Sequence, residues 1–153
     1  MSALDLRIPP PIIGLATAAL MYGLAVAIPS AAWSHALCPW LAGGFALVGI
    51  AIDLSALWAF HRHRTTVNPL SPDRTTRIVS DGIYRLTRNP MYLGMLGLLL
   101  AWAIWLANMA AWVGPVLFVA YITRFQIIPE ERILHQKFGA AYAQYRQRVR
   151  RWI

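Results

Sequence analysis

Of 153 residues, 58% are hydrophobic and only 13% are charged, with a mean hydropathy of +0.49. That leaves too few polar side chains to cover a soluble domain, whose apolar share is about 45–50%. The formal net charge of +8 sits on arginines grouped between apolar runs, which points away from nucleic-acid binding and toward a membrane protein with a basic face; one cysteine, Cys38, excludes an internal disulfide, and no Cys/His cluster has zinc spacing.

Taken in chain order, Pro9-Pro10-Pro11 precedes a first apolar run from about Ile12 to Ile28, closed by Pro29. A bilayer-spanning helix needs about 20 apolar residues, with roughly 17–25 the usual range. This run has no strongly basic segment ahead of it and further apolar runs behind it, so it reads as a span rather than a cleaved signal. A second span is expected over about Trp40–Phe60, with an acid, Asp53, inside it and His61 and His63 at its interfacial end. The segment after it contains Asn68-Pro69, Ser71-Pro72 and Asp81-Gly82 and therefore begins as an irregular loop. Third and fourth spans follow over about Met91–Ala107 and Met109–Phe125, with room between them only for a tight turn, so they form a helical hairpin. Pro129 suits the first turn of a new helix, with Glu130 and Glu131 favourable near its start and Gly139 able to cap it. Ala140–Trp152 then spaces Tyr142, Tyr145, Val149 and Trp152 helically among four arginines, the pattern of an amphipathic interfacial helix.

The charges fix the expected topology. Six arginines lie between His61 and Arg88, six more and Lys137 lie from Arg124 onward, and Arg7 precedes the first span. The opposite loops, near Ser30–Pro39 and Asn108, carry no Lys or Arg. By the positive-inside rule both termini and the middle loop are cytoplasmic, a parity that four spans satisfy. The expected architecture is one all-α, polytopic membrane domain over 1–153, with about four transmembrane helices and cytoplasmic C-terminal helices. No internal repeat is visible.

Two cytoplasmic stretches stand out, Arg77 to Gly94 and Pro129 to Tyr145. They contain Gly82-Ile83-Tyr84, then Arg88-Asn89-Pro90-Met91-Tyr92-Leu93-Gly94 opening a span, then Glu130-Glu131 one hairpin later, then Phe138-Gly139-Ala140-Ala141-Tyr142. In this order they resemble the superfamily of isoprenylcysteine carboxyl methyltransferases and phospholipid methyltransferases, over about Asn68–Tyr145. The resemblance implies an integral membrane enzyme that uses S-adenosylmethionine and releases S-adenosylhomocysteine. Carried over position by position, it implies cofactor segments at about 68–94 and 126–145, with contacts at Asn68, Thr76, Arg77, Ile78, Val79, Gly82, Tyr84, Asn89, Pro90, Met91, Tyr92, Gly94, Glu130 and Glu131. It also implies Arg88, Asn89 and Glu130 as the catalytic group. This chain departs from the family pattern at Asn89, where histidine is usual. It departs again at Gln126, where the prenylcysteine enzymes have a substrate-binding arginine four residues before the glutamate; the nearest arginine is Arg124. A carboxylate acceptor is therefore disfavoured, and Arg124, Gln126 and Asp53 are the candidate substrate residues.

The residue chemistry agrees. Glu130 or Glu131 can accept from ribose hydroxyls or an ammonium, Arg88 or Arg85 can pair with a carboxylate, and Tyr84 and Tyr92 offer faces to an adenine or a cation. Taken singly, Arg88 reads equally as an orienting charge, the glutamates as partners of a helix N-terminus, and the tyrosines as an interfacial belt. Asp53 reads either as a structural acid paired with an arginine or as a functional intramembrane group. The leading expectation is methyl transfer to a membrane lipid or to a prenylated or other hydrophobic small molecule in a prokaryotic inner membrane, without nucleic acid or metal. A nicotinamide-dependent reductase of the sterol reductase type and a non-catalytic membrane adaptor are the alternatives.

Overall fold

The computed structural model describes residues 5–33, 37–63 and 78–153. Its described residues form five α-helices: α1 (Pro10–Ala27), α2 (Cys38–His63), α3 (Pro90–Leu106), α4 (Val113–Ile122) and α5 (Ile128–Arg148). α1 and α3 both begin with proline in the first turn, where the missing N–H would have no helical partner anyway. Three helical stretches are long and apolar enough to cross a membrane: α1, most of α2, and the run that begins at Met109 and continues through α4 into α5. α3 has 17 residues, about 25 Å, at the short end of the spanning range. Large apolar side chains point outward along the first two helices, among them Leu15, Leu47, Leu54 and Trp58. A soluble surface does not carry such a band, and lipid covers it at no cost. The protein is thus an all-α, polytopic integral membrane protein.

Glycines set how closely the helices approach. α2 lies along α3 with Gly49 against Gly94 and Gly97; a Cβ at Gly49 would sit 2.8 Å from the Gly94 carbonyl oxygen and one at Gly97 3.1 Å from the Gly49 Cα. Small residues at a helix crossing are the usual means of bringing membrane helices into van der Waals contact. α1 packs on α3 and α4, burying Ile13 and Met21 with Leu99, Ala103, Phe118 and Ile122. Gly114 leaves the space that Met21 fills.

At one end of the bundle the two uncharged loops meet. Ala107 takes φ 46° to close the tight turn after α3, and Trp33 donates its N–H to the Ala107 carbonyl at 2.8 Å. Asn108 is buried, donates to the carbonyls of Ala25 and Ile28, and accepts from the Ala110 N–H. The α3–α4 turn expected from the sequence is therefore also tied to the end of α1.

At the other end Pro129 stands in the first turn of α5 with Glu130 and Glu131 beside it, as expected, but the separation of that helix from the fourth span and its expected end are corrected. The fourth span and the helix after it are continuous, joined by a π turn over Thr123–Ile127. In a regular helix the Pro129 ring would clash with the Phe125 carbonyl and leave it without a donor. The π turn widens the coil there, and the freed carbonyl accepts from the Leu6 N–H at 3.0 Å. The amphipathic helix expected to reach Trp152 ends at Arg148. Gly139, at φ 50° and ψ −120°, bends the helix midway, a conformation from which a Cβ is excluded. At Val149 the backbone turns extended, and the chain beyond it folds back onto the start of α3.

Candidate functional site

The start of α3 is the centre of the site. Asn89 precedes the helix with φ −131°, makes no side-chain cap, and is followed by the fully buried Pro90. The free N–H groups of a helix start need partners from elsewhere in the fold. Here Thr87 Oγ1 accepts from the Asn89 N–H at 3.1 Å and donates to the Arg151 carbonyl at 3.2 Å. Asn89 Nδ2 donates to that same carbonyl at 2.9 Å, and the Arg88 N–H donates to the Arg150 carbonyl at 3.0 Å. The returning residues after α5 thus strap the family motif in place.

Arg88 and Glu131 form a buried pair, each side chain 9% exposed, with Nη2 to Oε1 at 2.6 Å. Arg151 adds a second cation to the same carboxylate, with Nη2 to Oε2 at 2.8 Å. Arg88 Nη1 donates to the carbonyls of Val149 and Arg146. Its Nε is buried with no partner among the described residues. Burial works against the charge on Glu131, but the hydrogen bonds from Arg151 and Arg88 outweigh it and hold the carboxyl below its usual range.

Glu130 has a different neighbour. One turn into α3, the buried Tyr92 donates its hydroxyl to Glu130 Oε1 at 2.6 Å, joining motif segments 38 residues apart. Glu130 keeps part of its surface open, yet burial pushes its carboxyl up to about 8; the Tyr92 bond opposes the shift and the charge on Glu131 adds to it.

Tyr84 completes the cluster. Gly82, at φ 55°, turns the chain into a single 3-10 turn, Gly82–Arg85, that buries Tyr84 against Ala56, Ala59 and Val79. Phe60 meets its ring edge-on at 5.5 Å, and Tyr145 donates to its carbonyl at 2.7 Å. Burial raises the Tyr84 phenol far above its usual range, with smaller contributions from Tyr145, Glu130 and Asp53.

Of the residues expected from the sequence, Val79, Gly82, Tyr84, Arg88, Asn89, Pro90, Tyr92, Glu130 and Glu131 therefore occupy one region, with Ile78 and Met91 half-buried beside it. Gly94 lies on the α2 side of α3, where Asp53 occupies the space a side chain would take. Asn68, Thr76 and Arg77 lie outside the described residues. Arg124 and Gln126 serve the N-terminal segment: the Arg124 guanidinium is 3.7 Å from Asp5, and the buried Gln126 donates from Nε2 to the Ile8 carbonyl at 2.7 Å. Sequence reasoning missed Thr87, Tyr145 and Arg151. Thr87 stands inside the motif and could have been singled out, whereas nothing in spacing separates Arg151 from its basic neighbours.

Fold and site together define a class: a polytopic helical membrane protein in which the start of one hairpin helix is closed over by acids, tyrosines and arginines from the segment after the hairpin. The profile of the phospholipid methyltransferase family matches residues 37–141, and the chain belongs to that family. It is 33% identical over 106 residues to Protein-S-isoprenylcysteine O-methyltransferase A of Arabidopsis thaliana, covering 67% of this chain and 52% of that one. The chain thus spans about half the length of that relative. It is also 51% identical over 63 residues to an uncharacterized protein of Haemophilus influenzae, covering 41% of this chain and 100% of the other. No solved structure matches the chain.

Proposed function

We propose that the protein transfers a methyl group from S-adenosylmethionine to a lipid or other hydrophobic acceptor at the cytoplasmic face of a prokaryotic inner membrane. The observation that carries this reading is the 2.6 Å hydrogen bond from Tyr92 to Glu130, which brings the two family segments together at the end of the hairpin. Bound there, the cofactor would supply an electrophilic methyl group on a sulfonium, and in-line displacement then depends on positioning and electrostatics from the protein.

The residues present fit that cofactor. Glu130 is an acid without a cationic partner among the described residues, suited to an ammonium or ribose hydroxyls. Tyr84 and Tyr92 present aromatic rings in the same region, which suits a cation. The orphaned Nε of Arg88 is a buried donor suited to a carboxylate. Glu131, Arg151 and the remaining nitrogens of Arg88 hold these groups in position. Asn89 already spends its amide on the Arg151 carbonyl, so it acts as a hydrogen-bond donor that anchors α3 and not as a base.

The Arabidopsis relative is named for an isoprenylcysteine acceptor and O-methylation. Here Gln126 is buried and bonded to Ile8, so the position that would hold an arginine in the prenylcysteine enzymes offers no cation to a carboxylate. The test is calorimetric titration of S-adenosylhomocysteine into detergent-solubilised protein. Wild type binds; Glu130→Ala, still helical by circular dichroism, loses at least about tenfold in affinity. Unchanged affinity in the variant, or a thermal shift with NADPH and none with S-adenosylhomocysteine, would refute the proposal.

A further inference from the structure

Asp53 makes none of the hydrogen bonds or ion pairs above. It lies on the α2 face that packs on α3, one turn after Gly49 and one before Ala56. Its carboxylate rests directly over Gly94, the glycine that closes the motif at the start of α3, and any side chain there would overlap it. Oδ1 is buried and has no hydrogen-bond partner among the described residues, while the rest of the side chain is half-buried. No arginine, lysine or histidine among the described residues forms an ion pair with it. A lone acid within a membrane helix is costly, and a structural role would require a partner. Ala56, one turn further along the same face of α2, packs against Tyr84, so Asp53 stands one turn from the wall of the site.

We propose that Asp53 is the acceptor-side catalytic residue, whose carboxylate binds and deprotonates, through its accessible edge, a protic methyl acceptor (an amine, thiol or hydroxyl) entering from the bilayer. This rests on the methyltransferase reading above. The acceptor's lone pair forms the bond to the methyl carbon as the carbon–sulfur bond breaks, the bonding pair remains on sulfur, and the acceptor's proton passes to the Asp53 carboxylate. A carboxylate acceptor is repelled by the same group, and Gln126 offers it no compensating cation. Gly94 keeps its missing side chain because the acid must lie this close to the helix that carries Tyr92.

The test uses the detergent-solubilised full chain with labelled S-adenosylmethionine and three probes: dodecylamine, dodecanethiol and dodecanoic acid. Asp53→Asn is expected to bind S-adenosylhomocysteine within about threefold of wild type. Transfer to the amine or thiol is expected to fall roughly 100-fold, and dodecanoic acid is expected to remain unmethylated by either protein. Because the variant removes a charge that has no ion-pair partner among the described residues, its Tm is expected to rise. A structural acid would give the opposite sign, since its partner would be stranded. Should the Asn variant fail to fold, Asp53→Ser carries the same expectation for transfer. Preserved transfer, a lowered Tm, methylation of dodecanoic acid, or a wild type that binds the cofactor product yet methylates none of the probes overturns the inference. A wild type that does not bind S-adenosylhomocysteine overturns the methyltransferase reading itself.

Discussion

Glu130 and Glu131 are adjacent, yet the fold treats their charges in opposite ways. Glu131 lies between two arginines, and its charge is held in place. Removing it would leave the Arg88 guanidinium buried and short of a partner, the situation in which breaking a buried pair costs most. Glu130 faces a tyrosine hydroxyl and, with its carboxyl raised to about 8, is largely protonated at neutral pH. Its folded value lies above its unfolded one, so protein stability falls as pH rises through about 8. A bound cation favours the carboxylate and reverses that preference. The affinity for S-adenosylhomocysteine, which carries an ammonium, should therefore climb as pH rises toward about 8 and level off above it, with a proton released on binding at pH 7. Titrations in buffers of different ionisation enthalpy measure that proton. Glu130→Gln should abolish both the release and the slope, and a slope that survives would place the titrating group elsewhere.

Among the elements, the residues after α5 matter out of proportion to their length. Carbonyls from Val149, Arg150 and Arg151 accept from Arg88, Asn89 and Thr87, and Trp152 Nε1 donates to Thr123 Oγ1 at 3.2 Å. Of these residues only Val149 is a buried apolar side chain and only Trp152 packs on the main bundle cluster, so their deletion should leave the membrane helices formed. Removing 149–153 is expected to leave the far-UV circular dichroism nearly unchanged while weakening S-adenosylhomocysteine binding by at least about tenfold, since several hydrogen bonds of roughly 1 kcal/mol each are lost from the site. Binding that survives the deletion would reduce the strap to packing. The bend at Gly139 and the π turn before Pro129 serve the same end, because together they aim α5 and its continuation back across the start of α3.

At the scale of the molecule, the site depends on how closely α2 approaches α3. α2 carries Asp53, Ala56, Ala59 and Phe60, so it supplies both the wall behind Tyr84 and the acid over Gly94. Gly49→Val would drive a side chain into the Gly94 carbonyl and the Leu98 N–H, backbone atoms that cannot rotate away. Such overpacking costs about 1–3 kcal/mol. Thermal unfolding should show the lower Tm, and S-adenosylhomocysteine affinity should fall with it although residue 49 supplies no side chain to the site. The same substitution at Gly43, where a Cβ would meet nothing, is the control and should change neither.

The sequence by itself determined the membrane class, the helical hairpin and the order of the family segments, because these follow from apolar run length, from where arginines are absent, and from local motifs. Pro10, Pro29 and Pro90 mark helix boundaries legibly because proline's effect is local. Pro129 likewise marks a helix start, but a π turn and an N–H donated to the Phe125 carbonyl by Leu6, more than 100 residues away, join that helix to the one before it. The adjacent glutamates were visible as a pair, but which one is paired with cations and which faces Tyr92 depends on the direction each takes from α5. The strap was hidden because its contacts are backbone carbonyls, which every residue carries and no side-chain pattern reveals. Only the tertiary structure could set Asp53 over Gly94, since that contact exists through the packing of two helices whose sequences say that they are apolar and do not say which of their faces meet.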